Sequence, residues 1–194
     1  ALPILKSNFT AQYAGVTFKI DSIYLANVRN NATVMGEEDT EADYFRGGPV
    51  EFAVIQGLID PEANVNASFA KTYETPLVLS SESGELDATA LGFDKYINAN
   101  QPEYAEEDGY LTRLLITGTL MDGDRELGKK YFHIPLKLVD DTGNVASNKF
   151  FKISATITGE GSPNPDEILE NACINFSIEV APWNVVEQTE EDTN

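Results

Sequence analysis

His133 and Cys173 are the one histidine and the one cysteine of this 194-residue chain. A thiolate nucleophile needs a base to take its proton and a third group to orient that base. No orienting motif surrounds either residue, and they stand far apart in the sequence. His133 has the opposite parity to its neighbours Phe132 and Ile134, so it is expected on an exposed polar face. Cys173 lies beside an alternating apolar run and is expected to be a small core residue. A lone cysteine also excludes an intrachain disulfide and a cysteine-rich metal site. The Gly-x-Ser-x-Gly turn of a serine nucleophile is absent, and no glycine-rich phosphate loop follows a strand.

Carboxylates are plentiful, which makes an acid/base pair the next chemistry to weigh. Acidic clusters occur at Glu37, Glu38 and Asp39, and again at Glu106, Glu107 and Asp108. Neither has apolar neighbours to desolvate a carboxyl and raise its pKa, so both are expected to be solvated loops. "DGDRE" and "VDDTGN" place hard oxygen ligands in turns, but neither has the spacing of an EF-hand. Sequons begin at Asn8, Asn31, Asn66 and Asn175; the motif is short, and Asn175 falls within an expected strand. The residues therefore point to no catalytic, cofactor-binding or metal-ligating set, and the chain reads as a protein that is not an enzyme.

Thirteen basic against 32 acidic residues give a net charge of −19 and a pI near 4.2. A phosphate backbone needs a cationic face, so nucleic acid is not an expected partner. Electrostatic docking on an anionic membrane is excluded on the same ground. The charge serves solubility. With 42% hydrophobic residues the chain can build a sizeable core, as one large domain or two small ones. No apolar run reaches membrane-spanning length, so direct membrane insertion of the mature form is not expected. The start, "ALPILKSNFT", has no charged leader, and a targeting segment is expected to be absent from this stretch.

The elements that would position any site are strands. Val16, Phe18 and Ile20 share one parity, whereas Ile23 and Leu25 share the other, which predicts a bulge near Asp21 and Ser22. Short runs follow at Val50, Phe52 and Val54, after "RGGP", and at "TPLVLS" from Thr75 to Ser80. Leu114, Ile116 and Leu120 alternate, with Gly118 in phase and marking a close backbone approach. Phe132, Ile134, Leu136 and Leu138 alternate next, and Pro135 on the other parity predicts an edge strand or a bulge. Phe151, Ile153, Ala155 and Ile157 form a further run. Short helices are expected within Glu85–Asn100 and within Glu37–Phe45. Strands with one apolar face, separated by turn-rich stretches, make an all-β sandwich with short helical excursions.

The end of the chain breaks this pattern. Ile174, Phe176, Ile178 and Val180 alternate as a half-buried strand, and Pro182 then interrupts the alternation. Yet Trp183, Val185 and Val186 carry on the apolar content before an acidic tail begins. Either this segment folds back on its own sandwich, or it serves another molecule.

Several stretches in order carry a resemblance. They are "FKIDSIYLANV", with Ile23, Tyr24 and Asn27; "YFHIPLKL"; "NKFFKISATITGEGSPNPDE", with Phe150, Phe151, Thr158, Gly159, Gly161, Pro163, Pro165 and Asp166; and "NFSIEVAPWNVVEQ", with Trp183, Val185, Val186 and Gln188. Together they resemble the C-terminal half of Bacteroidales fimbrillins, the subunits of type V pili. The resemblance implies a Greek-key, transthyretin-like sandwich over 1–194 as the C-terminal domain of a longer subunit, with 181–194 as a donor-strand tail. It further implies lipoprotein export, proteolytic trimming at an N-terminal site, and polymerisation as the tail of one subunit fills a groove in the next. Pro182, Trp183, Val185 and Val186 would then form the donor segment, with Trp183 as anchor, Val185 in a second pocket and Pro182 as hinge.

Other fimbrial subunits would be the partners, with host or bacterial surface receptors beyond them, in an extracellular fimbria held at the outer membrane. A different reading makes the chain a surface module that binds glycans. Tyr44, Phe45, Tyr96 and Tyr104 could stack on sugars in that role.

Overall fold

The computed structural model describes residues 2–7, 15–29, 44–45, 66–80, 85–97, 112–136, 149–163 and 174–182. Nine strands are formed among them: β1 Leu2–Ser7, β2 Val16–Ala26, β3 Val28–Arg29, β4 Tyr44–Phe45, β5 Ala70–Ser80, β6 Arg113–Asp122, β7 Arg125–Pro135, β8 Lys149–Ile157 and β9 Ile174–Pro182. A four-stranded sheet runs β5-β2-β6-β7 and a three-stranded sheet runs β1-β8-β9. Strands β3 and β4 pair separately. The larger sheet is antiparallel throughout, with β2 inserted between β5 and β6. In the smaller sheet β9 is antiparallel to β8, whereas β1 is parallel to it. The fold is all-β, and helix among the described residues is limited to a 3-10 turn at Ala67–Phe69 and to α1, Ala88–Leu91.

One core joins the two sheets. Phe18, Ile20, Ile23 and Leu25 of β2 meet Leu114, Ile116 and Leu120 of β6, and Phe132 and Ile134 of β7. From the other sheet come Leu5 of β1, Phe151, Ile153, Ala155 and Ile157 of β8, and Ile174 of β9. The rings of Phe18 and Phe132 pack edge to face, with centroids 5.2 Å apart at 82°, the geometry that sets a positive ring edge on a negative face.

The expected bulge is present. Register shifts between Ile20 and Ser22 in both ladders of β2, so Phe18 and Ile20 before the bulge and Ile23 and Leu25 after it all point into the core. Gly118 is the expected close approach: a Cβ there would stand 2.2 Å from the Lys19 carbonyl oxygen. Strand β7 is an edge strand that ends on Pro135. The run at Thr75–Ser80 proves to be the second half of the longer β5. The helix within Glu85–Asn100 is α1, with the Asp87 side chain accepting from the Ala90 amide at 2.8 Å. The helix expected within Glu37–Phe45 is not supported at its end, where Tyr44 and Phe45 pair with β3; residues 37–43 lie outside the described residues. Val50, Phe52, Val54 and Cys173 also lie outside them.

Two expectations fail for one reason. His133 is not on an exposed face but 7% exposed, and β6 is buried on both faces from Arg113 to Gly118. The outer face of the larger sheet carries a second core of Tyr24, Ala26, Leu115 and Tyr131, packed against Ala70. Leu115 stands opposite both Tyr24 and His133, which brings the histidine into this layer.

Candidate functional site

The candidate site is the end of β9, where the last described strand runs toward Trp183. Its backbone ladder with β8 is regular from Ile157↔Ile174 to Lys149↔Pro182. Pro182 is the last described residue of the strand and pairs with Lys149. Along the apolar parity the cover is uneven. Ile174 is 6% exposed, Phe176 is 36% exposed and Ile178 is half-buried. On the other parity Asn175, Ser177 and Glu179 are exposed. Trp183, Val185 and Val186 lie outside the described residues.

The four sheet edges are treated differently, and an open edge is a template for another strand. At the β7 edge, Tyr131 and Ser162 exchange backbone hydrogen bonds of 2.9 and 3.0 Å. The segment that brings Ser162 there also places Glu160 3.4 Å from the Lys130 ammonium, and Gly161 against the Phe132 ring. At the β1 edge, Leu5 and Leu86 exchange backbone bonds of 2.8 and 2.7 Å. The β5 edge is guarded by chemistry, since Lys71, Glu74 and Pro76 are all exposed on it. Charges and proline blunt a strand edge. Among the described residues, β9 pairs with β8 alone and has no such clamp.

Strand β1 is itself an unusual edge. It lies at the start of the chain, parallel to β8, and inserts Leu5 fully into the core beside buried Pro3. It pairs along β8 beside buried Ile153, Ala155 and Ile157, which form its seat.

The other candidates are dispersed. Asp122, Asp124 and Glu126 are exposed around the tight β6–β7 turn, where Gly123 takes φ +60. Among the described residues no group of three His, Cys, Asp or Glu side chains is gathered for a metal ion. The "VDDTGN" turn, both acidic clusters, Asn8 and Asn31 lie outside the described residues. Asn66 caps the 3-10 turn, its side chain accepting from the Ser68 amide at 3.0 Å, and Asn175 is exposed on β9. Tyr96 is 75% exposed, Tyr44 and Phe45 form β4, and Tyr104 lies outside the described residues.

The fold perturbs several ionisable groups, among them Asp21 and Tyr73. Desolvation raises the pKa of Asp21, in the β2 bulge; Lys129 pulls it down and Glu126 pushes it up. Burial pushes the Tyr73 phenol up to about 12, and its hydroxyl donates to the Leu91 carbonyl at 2.7 Å. No helix among the described residues is long and apolar enough to cross a membrane, which says nothing of strands.

No family model matches the sequence, and no curated protein does. Solved structures do share the fold. A fimbrilin (FimA) of Porphyromonas gingivalis W83 superposes with a TM-score of 0.59 at 17% identity, over 96% of this chain and 59% of its own. A candidate cell adhesion protein from Bacteroides eggerthii DSM 20697 gives 0.58 at 14% identity, over 94% of this chain and 54% of its own. Another from Parabacteroides distasonis ATCC 8503 gives 0.52 at 18% identity, over 94% and 59%. The chain thus spans less than two thirds of each, and at these identities the likeness is one of fold.

Proposed function

We propose that this chain is a structural and adhesive subunit of a type V fimbria, one β-sandwich domain of a longer subunit, without catalysis. It polymerises when the segment Pro182, Trp183, Val185 and Val186 of one copy completes a sheet in the next. The observation that carries this reading is β9: an edge strand without a clamp among the described residues, with Phe176 36% exposed on its apolar parity, followed in sequence by a tryptophan and two valines. Segments with such alternation bind by strand addition, in which backbone hydrogen bonds give affinity and side-chain pockets give specificity. The fold shared with a fimbrilin and with candidate adhesion proteins supports the same reading.

The acceptor in this proposal is the β1 seat. Proteolytic trimming that releases β1 would expose the backbone of β8 and the places of Leu5 and Pro3. Trp183 and Val185 share a parity and would refill them. The mature subunit is then extracellular, in a fimbria anchored at the outer membrane through its precursor or a partner, with other subunits as first partners and surface receptors beyond.

Ending the chain at Pro182 tests this directly. The truncated protein should keep its fold by circular dichroism and lose polymerisation; equal assembly with and without the segment would reject the donor role. Exposed Tyr96 supports the second reading, a glycan-binding module. Glycan-array binding retained by the tailless monomer, and lost on Tyr96→Ala, would favour it.

A further inference from the structure

On the outer face of the four-stranded sheet, we infer that Arg113 anchors a binding site for a single carboxylate. Arg113 is 8% exposed, its Nη1 is buried, and that atom has no hydrogen-bond partner among the described residues. By register Arg113 stands between Ala26 of β2 and Pro135 of β7. Leu115 is two residues along β6 on the same face, with Tyr24 and His133 opposite it. Ala26, Leu115, Tyr24 and His133 are all buried, so the described neighbours of Arg113 by register are mainly hydrocarbon and aromatic.

A guanidinium cannot shed its charge in a protein, and burying part of it without a partner is unfavourable. Desolvation accordingly lowers the Arg113 pKa. Methionine or leucine would fill the same place at no electrostatic cost. An arginine there implies an anion that completes it. The planar fork matches a carboxylate through two parallel hydrogen bonds. A net charge of −19 disfavours multivalent anions such as phosphate and leaves a monovalent group as the better guest. The carboxylate comes either from a small organic acid or from the acidic tail, Glu187 to Asp192.

Thermal unfolding in acetate, at fixed pH and ionic strength, tests the site. The full chain, a chain ending at Val186, and Arg113→Met in each length are compared. A ligand that binds only the folded state raises Tm with the logarithm of its concentration, by roughly 5 °C or more at a hundredfold excess over Kd. An acetate-dependent rise in the full chain that Arg113→Met abolishes supports a small-acid ligand. A rise confined to the shortened chain, again abolished by Arg113→Met, supports the tail as the natural occupant. Parallel behaviour of arginine and methionine in both lengths overturns the site. Should Arg113→Met fail to fold, Arg113→Lys keeps the charge but loses the fork, so its acetate response must be weaker; an unchanged response overturns the site as well.

Discussion

Gly161 lies against the ring of Phe132 so closely that a Cβ on the glycine would stand 2.7 Å from Cζ. The glycine also holds φ +73, in the left-handed region. The segment after β8 can cross the ring only as bare backbone, and the crossing delivers Ser162 to the edge of β7 at Tyr131. Gly161→Ala should cost about 1–3 kcal/mol, from backbone strain and overpacking together. Urea unfolding checks this. In a double-mutant cycle, Phe132→Leu should recover part of the loss, because the two residues share one space.

Gly118 meets a harder obstacle, since the Lys19 backbone as well as the Phe18 ring blocks its Cβ. Gly118→Ala should therefore be more damaging than Gly161→Ala and should disturb the β2–β6 ladder opposite Ile20. Amide exchange at Lys19 and Ile20 is the readout. Protection equal to that of the parent protein would show that the strands do not approach this closely.

Asp21 gives a pH dependence of known sign. Its folded pKa lies above the ordinary 3.8, chiefly through desolvation. The stability it contributes is complete below 3.8 and is lost as pH rises through the folded value. Asp21→Asn should therefore raise Tm slightly at neutral pH and leave it unchanged near pH 2. A variant less stable than the parent at pH 7 would contradict the assignment.

Tyr73 ties β5 to α1 by its hydrogen bond to the Leu91 carbonyl. In an alkaline absorbance titration Tyr73 should resist ionisation until about pH 12, and Tyr73→Phe should remove its contribution. The substitution should also cost about 1 kcal/mol by leaving a carbonyl without its donor.

The strands of the second half were legible because alternation is strict there: Phe151, Ile153, Ala155 and Ile157 of β8 are all buried, as their parity predicts. The β2 bulge was legible too, because a change of parity inside one apolar run has few other physical causes. His133 departs from its expected exposed face because alternation does not require one face to be wet. Tyr24, Leu115 and Tyr131 were the signal against that, three large residues on the nominally polar parity. Arg113 was invisible in sequence, since an arginine at the start of a strand looks solvated until both neighbouring strands are placed. The clamps at Leu86 and Ser162 depend on long-range pairing that no local pattern encodes. Trp183, Val185 and Val186 stand where they stood on sequence alone, as the proposed donor.

The central claim is that the C-terminal segment of one copy occupies the β1 seat beside β8 of another. In a Cys173→Ser background, subunits carrying Val185→Cys are mixed with subunits carrying a single cysteine at Ile153, Ala155 or Ile157, trimmed and allowed to assemble under mild oxidation. Neighbouring strands bring such pairs within disulfide range. The account predicts disulfides between different copies at one or two of the three positions, in the fibres and not in untrimmed monomer. Fibres that form without a crosslink at any position, or a crosslink that forms only within one chain, would contradict it.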